Sequence, residues 1–192
     1  TDNDGWSAGD LIINEIMKNP CGLLGDLDGD GDCSVENPVE DEFGEWFEIL
    51  NTTSEAINLN ELLISGDSNT PEESFIITSD LTVDAGDVVV FGVSSDTSVN
   101  GGIIVDYVYS HDVFQLGNRN DSIVISSTST IIDSLVYDDG DTFPNVKGRS
   151  LTLDPSSADS ISNNLGVNWC NASTLNGSGD YGTAGEANDS CE

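Results

Sequence analysis

Short runs of apolar and β-branched residues, separated by Gly, Asn, Asp and Ser, recur along the whole sequence. No segment shows the sustained 3.6-residue periodicity of a helix. A chain with this pattern is expected to fold as an all-β protein, and eight short strands suit a sandwich of two sheets. The predicted strands cover residues 11–17, 45–51, 62–65, 75–77, 88–93, 122–126, 131–137 and 150–153.

The second predicted strand has apolar residues on both of its faces. Because side chains alternate along a strand, Trp46, Glu48 and Leu50 share one face, while Phe47 and Ile49 share the other. An edge strand does not need two apolar faces. This strand is therefore predicted to lie in the centre of a sheet.

Charge limits the partners that this chain can bind. The 192 residues contain 36 Asp and Glu but only 4 Lys and Arg, which gives a formal net charge of -32. Binding of DNA or RNA depends on cations that neutralise phosphates, so direct binding of nucleic acid is not expected. No apolar stretch approaches the length of a membrane span. The length fits one domain, residues 11–192, preceded by an N-terminal arm, residues 1–10.

An Asp-rich run between the first two predicted strands resembles a calcium-binding loop. Asp26, Asp28, Asp30 and Asp32 occupy alternate positions, and Gly31 stands where an EF-hand-type loop turns. Calcium takes six to eight oxygen ligands, and such loops supply them from positions 1, 3, 5 and 7 with glycine at 6. The run therefore predicts Ca²⁺ as a bound cofactor.

The match to an EF-hand is partial, because neither flank resembles a helix and position 12 is Asn37 instead of an acid. Glu36, Glu40, Asp41 and Glu42 follow closely and could close a longer loop. Asp and Gly are also ordinary turn residues, so a solvated acidic turn is the alternative. The run is predicted to be a structural calcium clamp within an inserted loop, residues 20–42.

The cysteines indicate an oxidising compartment. Cys21 and Cys33 bracket the Asp-rich run, whereas Cys170 and Cys191 bracket the C-terminal segment. Neither pair has zinc-ligand spacing, and His111 is the only histidine. Two local disulfides are predicted, although four cysteines allow three connectivities. Disulfides are typical of secreted proteins, so a secreted or cell-surface location is expected.

No motif of a known catalytic chemistry is present. His111 has no serine or cysteine nucleophile in a recognisable motif, and no phosphate-binding glycine loop occurs. A second acidic cluster at residues 138–141 could bind calcium, but its Asp-Gly sequence favours a turn. The chain is therefore predicted not to be an enzyme.

Aromatic residues that stack on sugars would indicate a glycan-binding module. Trp46 and Trp169 lie at positions expected to pack in the core, which leaves Trp6 in the N-terminal arm as the free candidate. Glycan binding remains an alternative on this basis.

Several segments resemble the lamin tail domain family in their order along the chain. The opening strand carries an Asn14-Glu15 pair, and an acidic and aromatic segment ends in Asn51. Ala184 replaces the family's usual proline in the closing motif. The resemblance spans roughly Leu11 to Asn188, and the matching segments are residues 12–17, 42–51, 57–60, 83–87, 116–123, 132–137, 148–151, 168–169 and 182–188.

This resemblance implies an immunoglobulin-like β-sandwich, and bacterial members often insert a Gly- and Asp-rich loop where residues 20–42 stand. The implied function is a non-catalytic, calcium-stabilised interaction or anchoring module of a secreted or cell-surface bacterial protein. Its partner would be another protein or a cell-surface component. The alternatives are an accessory domain of a secreted hydrolase, such as a nuclease or phosphatase, and a glycan-binding module.

Overall fold

The computed structural model describes residues 5–21, 39–66, 73–177 and 179–191. These ranges form β-strands, one four-residue helix and three single-turn 3-10 helices. The elements are β1 Leu11–Met17, α1 Asp41–Gly44, β2 Trp46–Asn51, β3 Ile57–Asn58, β4 Leu63–Ser65, β5 Ser74–Ile76, β6 Thr82–Val83, β7 Val88–Gly92, β8 Tyr107–Val108, β9 Asp121–Ser126, β10 Ile131–Tyr137, β11 Leu151–Leu153, β12 Trp169–Asn171, β13 Leu175–Asn176 and β14 Asp180–Tyr181, with 3-10 turns at Pro155–Ser157, Ser162–Asn164 and Gly166–Asn168.

Two sheets enclose the main core. The larger sheet has the order β12-β11-β1-β2-β7-β8 and is antiparallel except for the β7-β8 pair. The smaller has the order β10-β9-β4-β5. Their facing residues, such as Phe47 and Ile49 from one sheet and Ile125 and Leu135 from the other, are fully buried in one cluster. The predicted all-β sandwich is confirmed.

The central position predicted for the second strand is confirmed, because β2 lies between β1 and β7. Its second apolar face is also buried. Trp46 packs on the outer side of the sheet with Met17, Val90 and Ile103 in a separate cluster. The outer face of the larger sheet is therefore partly covered and is not a simple solvated surface.

All eight predicted strands are present, with end points that differ by at most one residue. The prediction missed the two-residue strands and β12, because so few residues show no alternation by themselves. It also missed the single turn of α1 just before β2. Within the described ranges, no helix is long and apolar enough to cross a membrane.

The C-terminal segment is tied to the larger sheet. β11 pairs with β1 on one side and with β12 on the other, and the indole Nε1 of Trp169 donates a hydrogen bond to the carbonyl oxygen of Asn163 (2.7 Å). Cys170 and Cys191 form the predicted disulfide. Cys21 is also disulfide-bonded, and its expected partner, Cys33, lies outside the described residues.

Replacing both Cys170 and Cys191 with Ser should lower the free energy of unfolding by about 2–4 kcal/mol. The bridge closes a loop between residues 21 positions apart, and the unfolded chain gains entropy when the loop opens. Urea unfolding followed by tryptophan fluorescence would measure the loss. Reducing agent should lower the stability of the original chain further, because Cys21 is also disulfide-bonded. An unchanged midpoint in the double variant would contradict a stabilising role for this bridge.

Candidate functional site

Two carboxyl groups lie side by side on the outer face of the larger sheet. Glu15 in β1 and Glu48 in β2 are cross-strand partners, and both are 0% exposed. Like charges directly opposite each other destabilise a sheet, and burial makes each charge costlier still. The surrounding residues must therefore supply hydrogen bonds or keep the groups protonated.

The Glu15 carboxyl group is held by residues from the C-terminal part of the chain. Its Oε1 accepts a hydrogen bond from the amide of Thr183 (2.8 Å), and its Oε2 accepts one from the Thr183 hydroxyl (2.6 Å). The Ser150 hydroxyl also donates to Oε1. Both oxygens therefore have donors within the protein.

The Glu48 carboxyl group is bound by the same part of the chain. Its Oε2 accepts from the amide of Gly185 (2.7 Å), and its Oε1 accepts from Nδ2 of Asn14 (2.9 Å). Nδ2 of Asn188 donates to the carbonyl oxygens of Asn14 (2.8 Å) and Leu153 (2.9 Å). Residues 183–188, which we call the closing segment, thus bind β1, β2 and β11 over the carboxyl pair.

Burial changes the ionisation of this pair. Burial raises the pKa of Glu15 above its ordinary value of 4.5. Burial, followed by the neighbouring Glu15 carboxyl group, raises the pKa of Glu48 to about 8. A protonated carboxyl group carries no charge and can donate a hydrogen bond, so at neutral pH Glu48 retains a proton that an exposed carboxyl group would lose.

Two further carboxyl groups are buried elsewhere in the sandwich. Glu45, which accepts a hydrogen bond from the amide of Leu116 (3.1 Å), has its pKa raised to about 8, mainly by burial. Asp133 accepts from the amide of Ile13 and from Nδ2 of Asn163, both at 2.8 Å, and burial raises its pKa to about 6. Among the described residues, four buried acids thus have a raised pKa: Glu15, Glu45, Glu48 and Asp133.

A pocket of about 480 Å³ opens beside the closing segment. Asn14 forms part of its wall and is only 5% exposed, and its Oδ1 has no hydrogen-bond partner among the described residues. The pocket lies towards the start of β1, because the Leu50 of its wall pairs with Ile12. Its walls are formed by Asn14, Leu50, Gly86, Asp87, Val88, Leu153, Pro155, Ala158, Gly185, Glu186, Ala187 and Asn188.

The sandwich is consistent with one protein family, whose model matches this chain over residues 6–139. The chain belongs to the lamin tail domain family. Lamin tail domains have an immunoglobulin-like β-sandwich fold and are non-catalytic interaction modules, so the expected fold class is confirmed. No curated protein matches the chain at a significant level. The closing segment of this lamin tail domain lies beyond the matched residues.

Only part of the predicted calcium site of this lamin tail domain falls within the described residues. Asp26, Asp28, Asp30, Asp32 and Glu36 lie outside them. Glu40, Asp41 and Glu42 are exposed at the start of α1, where one oxygen of Asp41 accepts a hydrogen bond from Nδ2 of Asn118 (2.7 Å). Within the described ranges, no three His, Cys, Asp or Glu side chains are grouped to hold a metal ion.

The two ends of the inserted segment meet at one place. A Cβ atom added to Gly44 would lie 2.3 Å from Cγ1 of Val39 and 2.7 Å from Cβ of Pro20, so only glycine fits between these side chains. Nearby, the amide of Cys21 donates to both oxygens of the Asp180 carboxylate (3.1 and 3.0 Å). Pro20 and Val39, which flank this segment, therefore both pack against Gly44.

The second acidic cluster forms a turn. Oδ2 of Asp138 accepts hydrogen bonds from the amide (2.8 Å) and hydroxyl (2.6 Å) of Thr142, and its Oδ1 accepts from the amide of Phe143 (3.0 Å). The carboxylate is thus occupied by its own loop. This geometry agrees with the turn that the Asp-Gly sequence favours.

The structure corrects the expectation for Trp6. Its side chain is not a free residue of a loose arm, because it is partly buried and packs against the main core. Trp46 and Trp169 are buried as predicted, at 2% and 4% exposure. No Trp, Tyr or Phe in the described ranges belongs to the exposed class, so the glycan alternative gains no supporting observation.

Sequence reasoning missed both the buried carboxyl pair and the pocket. Glu15 and Glu48 were placed in predicted strands, and the alternation put Glu48 on the same face as Trp46. The shared face could have predicted that Glu48 is buried and hydrogen-bonded. An acid between apolar neighbours in a central strand needs a buried partner. Two of the donor residues, Thr183 and Gly185, are on the closing segment, whose sequence motif indicated a family but not a contact.

Proposed function

We propose that this lamin tail domain is a calcium-stabilised interaction or anchoring module of a secreted or cell-surface bacterial protein. The observation that carries the extracellular assignment is the disulfide bonding of Cys21, Cys170 and Cys191. Structural disulfides persist in oxidising compartments and are rare in the cytosol. The family's non-catalytic character agrees with an interaction role.

Charge favours a partner other than nucleic acid. With a formal charge of -32, the domain repels polyanions and attracts cationic surfaces over the range that salt does not screen. The partner is therefore proposed to be a protein or a cell-surface component with a basic contact region.

Calcium is proposed to brace the inserted segment. Asp26, Asp28, Asp30 and Asp32 provide alternating carboxylates, and Glu36, Glu40, Asp41 and Glu42 are the candidates that complete the oxygen ligands. The packing of Pro20 and Val39 on Gly44 supports this proposal, because it brings the two ends of the inserted segment close together. Without a bound cation, the negative charges of those acids repel one another.

Saturating Ca²⁺ should raise the melting temperature by about 5 °C or more, and EDTA should remove the increase. A ligand that binds only the folded state at 100 times its dissociation constant adds about 2.7 kcal/mol to the free energy of unfolding. Asp28→Ala combined with Asp30→Ala should abolish the difference between the two conditions. Differential scanning calorimetry would measure it.

A matched control removes two exposed acids elsewhere, through Asp112→Ala and Glu55→Ala, with the same change in net charge. This control should keep the full calcium response. Identical melting curves of the original domain with calcium and with chelator would reject the calcium clamp. A response lost equally in both double variants would assign the effect to total charge instead of the loop.

A further inference from the structure

The pocket beside the closing segment has the composition of a binding site for a cationic side chain. The geometry points to an arginine side chain of a partner protein as its occupant, an assignment that rests on the interaction role proposed above. Leu50, Val88 and Leu153 form apolar walls, and Asp87 and Glu186 stand among the lining residues. This arrangement matches a side chain with an apolar stem and a charged tip.

The two lining carboxylates are available to a ligand. Asp87 and Glu186 are exposed, and neither carboxylate has a hydrogen-bond or ion-pair partner among the described residues. The neighbouring Asp154, by contrast, accepts hydrogen bonds from Ser156 and Cys191. Asp87 and Glu186 are thus the acids of this pocket whose charge is not already used by the fold.

An independent observation comes from the pocket wall. Asn14 is 95% buried, its Nδ2 donates to Glu48, and its Oδ1 has no donor within the described part of the chain. Buried polar atoms almost always have a partner, and an orphaned acceptor destabilises the fold. Because Oδ1 has almost no surface exposed to solvent, the N–H group of a ligand in this pocket would reach it only after the pocket wall shifts.

The domain's own cations do not compete for this site, because none of the four lines the pocket. Lys18 directly follows β1, where its Nζ donates to the carbonyl oxygens of Arg119 and Asp138. Arg149 stacks on Tyr181, two residues before Leu151, which pairs with Ile16. These contacts lie towards the end of β1, whereas the pocket lies at the level of Ile12 and Asn14.

Arginine fits this pocket better than lysine. Its guanidinium group offers five N–H donors in a plane, whereas an ammonium group offers three around one point. It is also more weakly hydrated, so less hydration is lost when it enters a pocket with apolar walls. A pocket of about 480 Å³ has room for the whole side chain.

A nuclear magnetic resonance titration of the full chain, labelled with ¹⁵N, tests this assignment. The probe is the blocked peptide acetyl-Gly-Gly-Arg-Gly-Gly-amide, and the matched control contains citrulline, which has nearly the same shape but no charge. The arginine peptide should shift the amide signals of Gly86, Asp87, Gly185 and Glu186 with a dissociation constant on the order of 1 mM. The citrulline peptide should bind at least tenfold more weakly.

Two charge-matched double variants decide whether the pocket is the site. Asp87→Asn with Glu186→Gln should weaken binding of the arginine peptide at least tenfold, since both carboxylates are lost. Asp112→Asn with Glu55→Gln removes two exposed acids elsewhere and should change the affinity less than twofold. Equal losses in the two variants, equal binding of citrulline, or signal shifts confined to other surfaces would overturn the assignment.

The calcium experiment and the peptide experiment fail separately. A domain that melts identically with calcium and EDTA but binds the arginine peptide at these residues loses only the calcium clamp. A domain that responds to calcium but ignores the peptide loses only the arginine pocket.

Discussion

Raising the pH from 5.5 to 8.5 should lower the free energy of unfolding by several kcal/mol. Glu45 and Glu48 have folded-state pKa values of about 8 against an ordinary 4.5, so the folded state binds more protons than the unfolded state between these values. Their contribution to stability is complete below pH 4.5 and is lost as the pH rises through about 8. Asp133, with a pKa raised to about 6, adds a loss with the same sign.

This pH range isolates the buried acids. Exposed carboxyl groups are already ionised above pH 5.5, and the sequence contains one histidine, the residue type that ordinarily titrates there. Urea denaturation at several pH values would measure the slope. Glu45→Gln combined with Glu48→Gln should flatten it, whereas Glu55→Gln, at an exposed position, should leave it unchanged. A free energy of unfolding that stays constant from pH 5.5 to 8.5 would contradict the buried protonated state.

Glu15→Ala should cost about 3–5 kcal/mol in the free energy of unfolding. The substitution removes the acceptor of three donors, the Ser150 hydroxyl and the amide and hydroxyl of Thr183, and leaves a cavity beneath the closing segment. Glu15→Gln should cost less than about 1.5 kcal/mol, because the amide has nearly the same shape and keeps one acceptor oxygen. Chemical denaturation of both variants at pH 6 would measure the difference.

Hydrogen exchange provides a local control for this pair of variants. In Glu15→Ala, the amides of Thr183 and Gly185 should exchange faster, while the amide of Ile13 on the other side of β1, bonded to Asp133, should change less. Losses of equal size in the Ala and Gln variants would mean that the cluster needs a negative charge instead of an acceptor of the right shape.

The fold was largely predictable because its strongest signals are local. β1 and β10 were predicted with their observed ends, since each has seven residues with clear strand composition. The strands of two residues exist because a partner strand is already in place. Thr82 and Val83, for example, form β6 only through pairing with Asn58 and Ile57.

The site was less predictable because its contacts are distant in the sequence. Glu15 is bonded to Ser150 and Thr183, which are 135 and 168 residues away. Burial of an acid can be inferred from its neighbours in a strand, but the identity of its donors cannot. The calcium-like run was visible because alternating acids and a glycine within seven residues form a local pattern.

The Cys170–Cys191 bridge also determines how the domain would carry mechanical load. The bridge joins Cys191 covalently to β12. Residues 171–190, which include the closing segment, form the loop that the bridge closes. A pulling force applied through the peptide bond after Cys191 passes across the sulfur atoms into β12 and bypasses that loop. The closing segment, which lies over Glu15 and Glu48 and forms one side of the pocket, would therefore carry no load when the module is under tension.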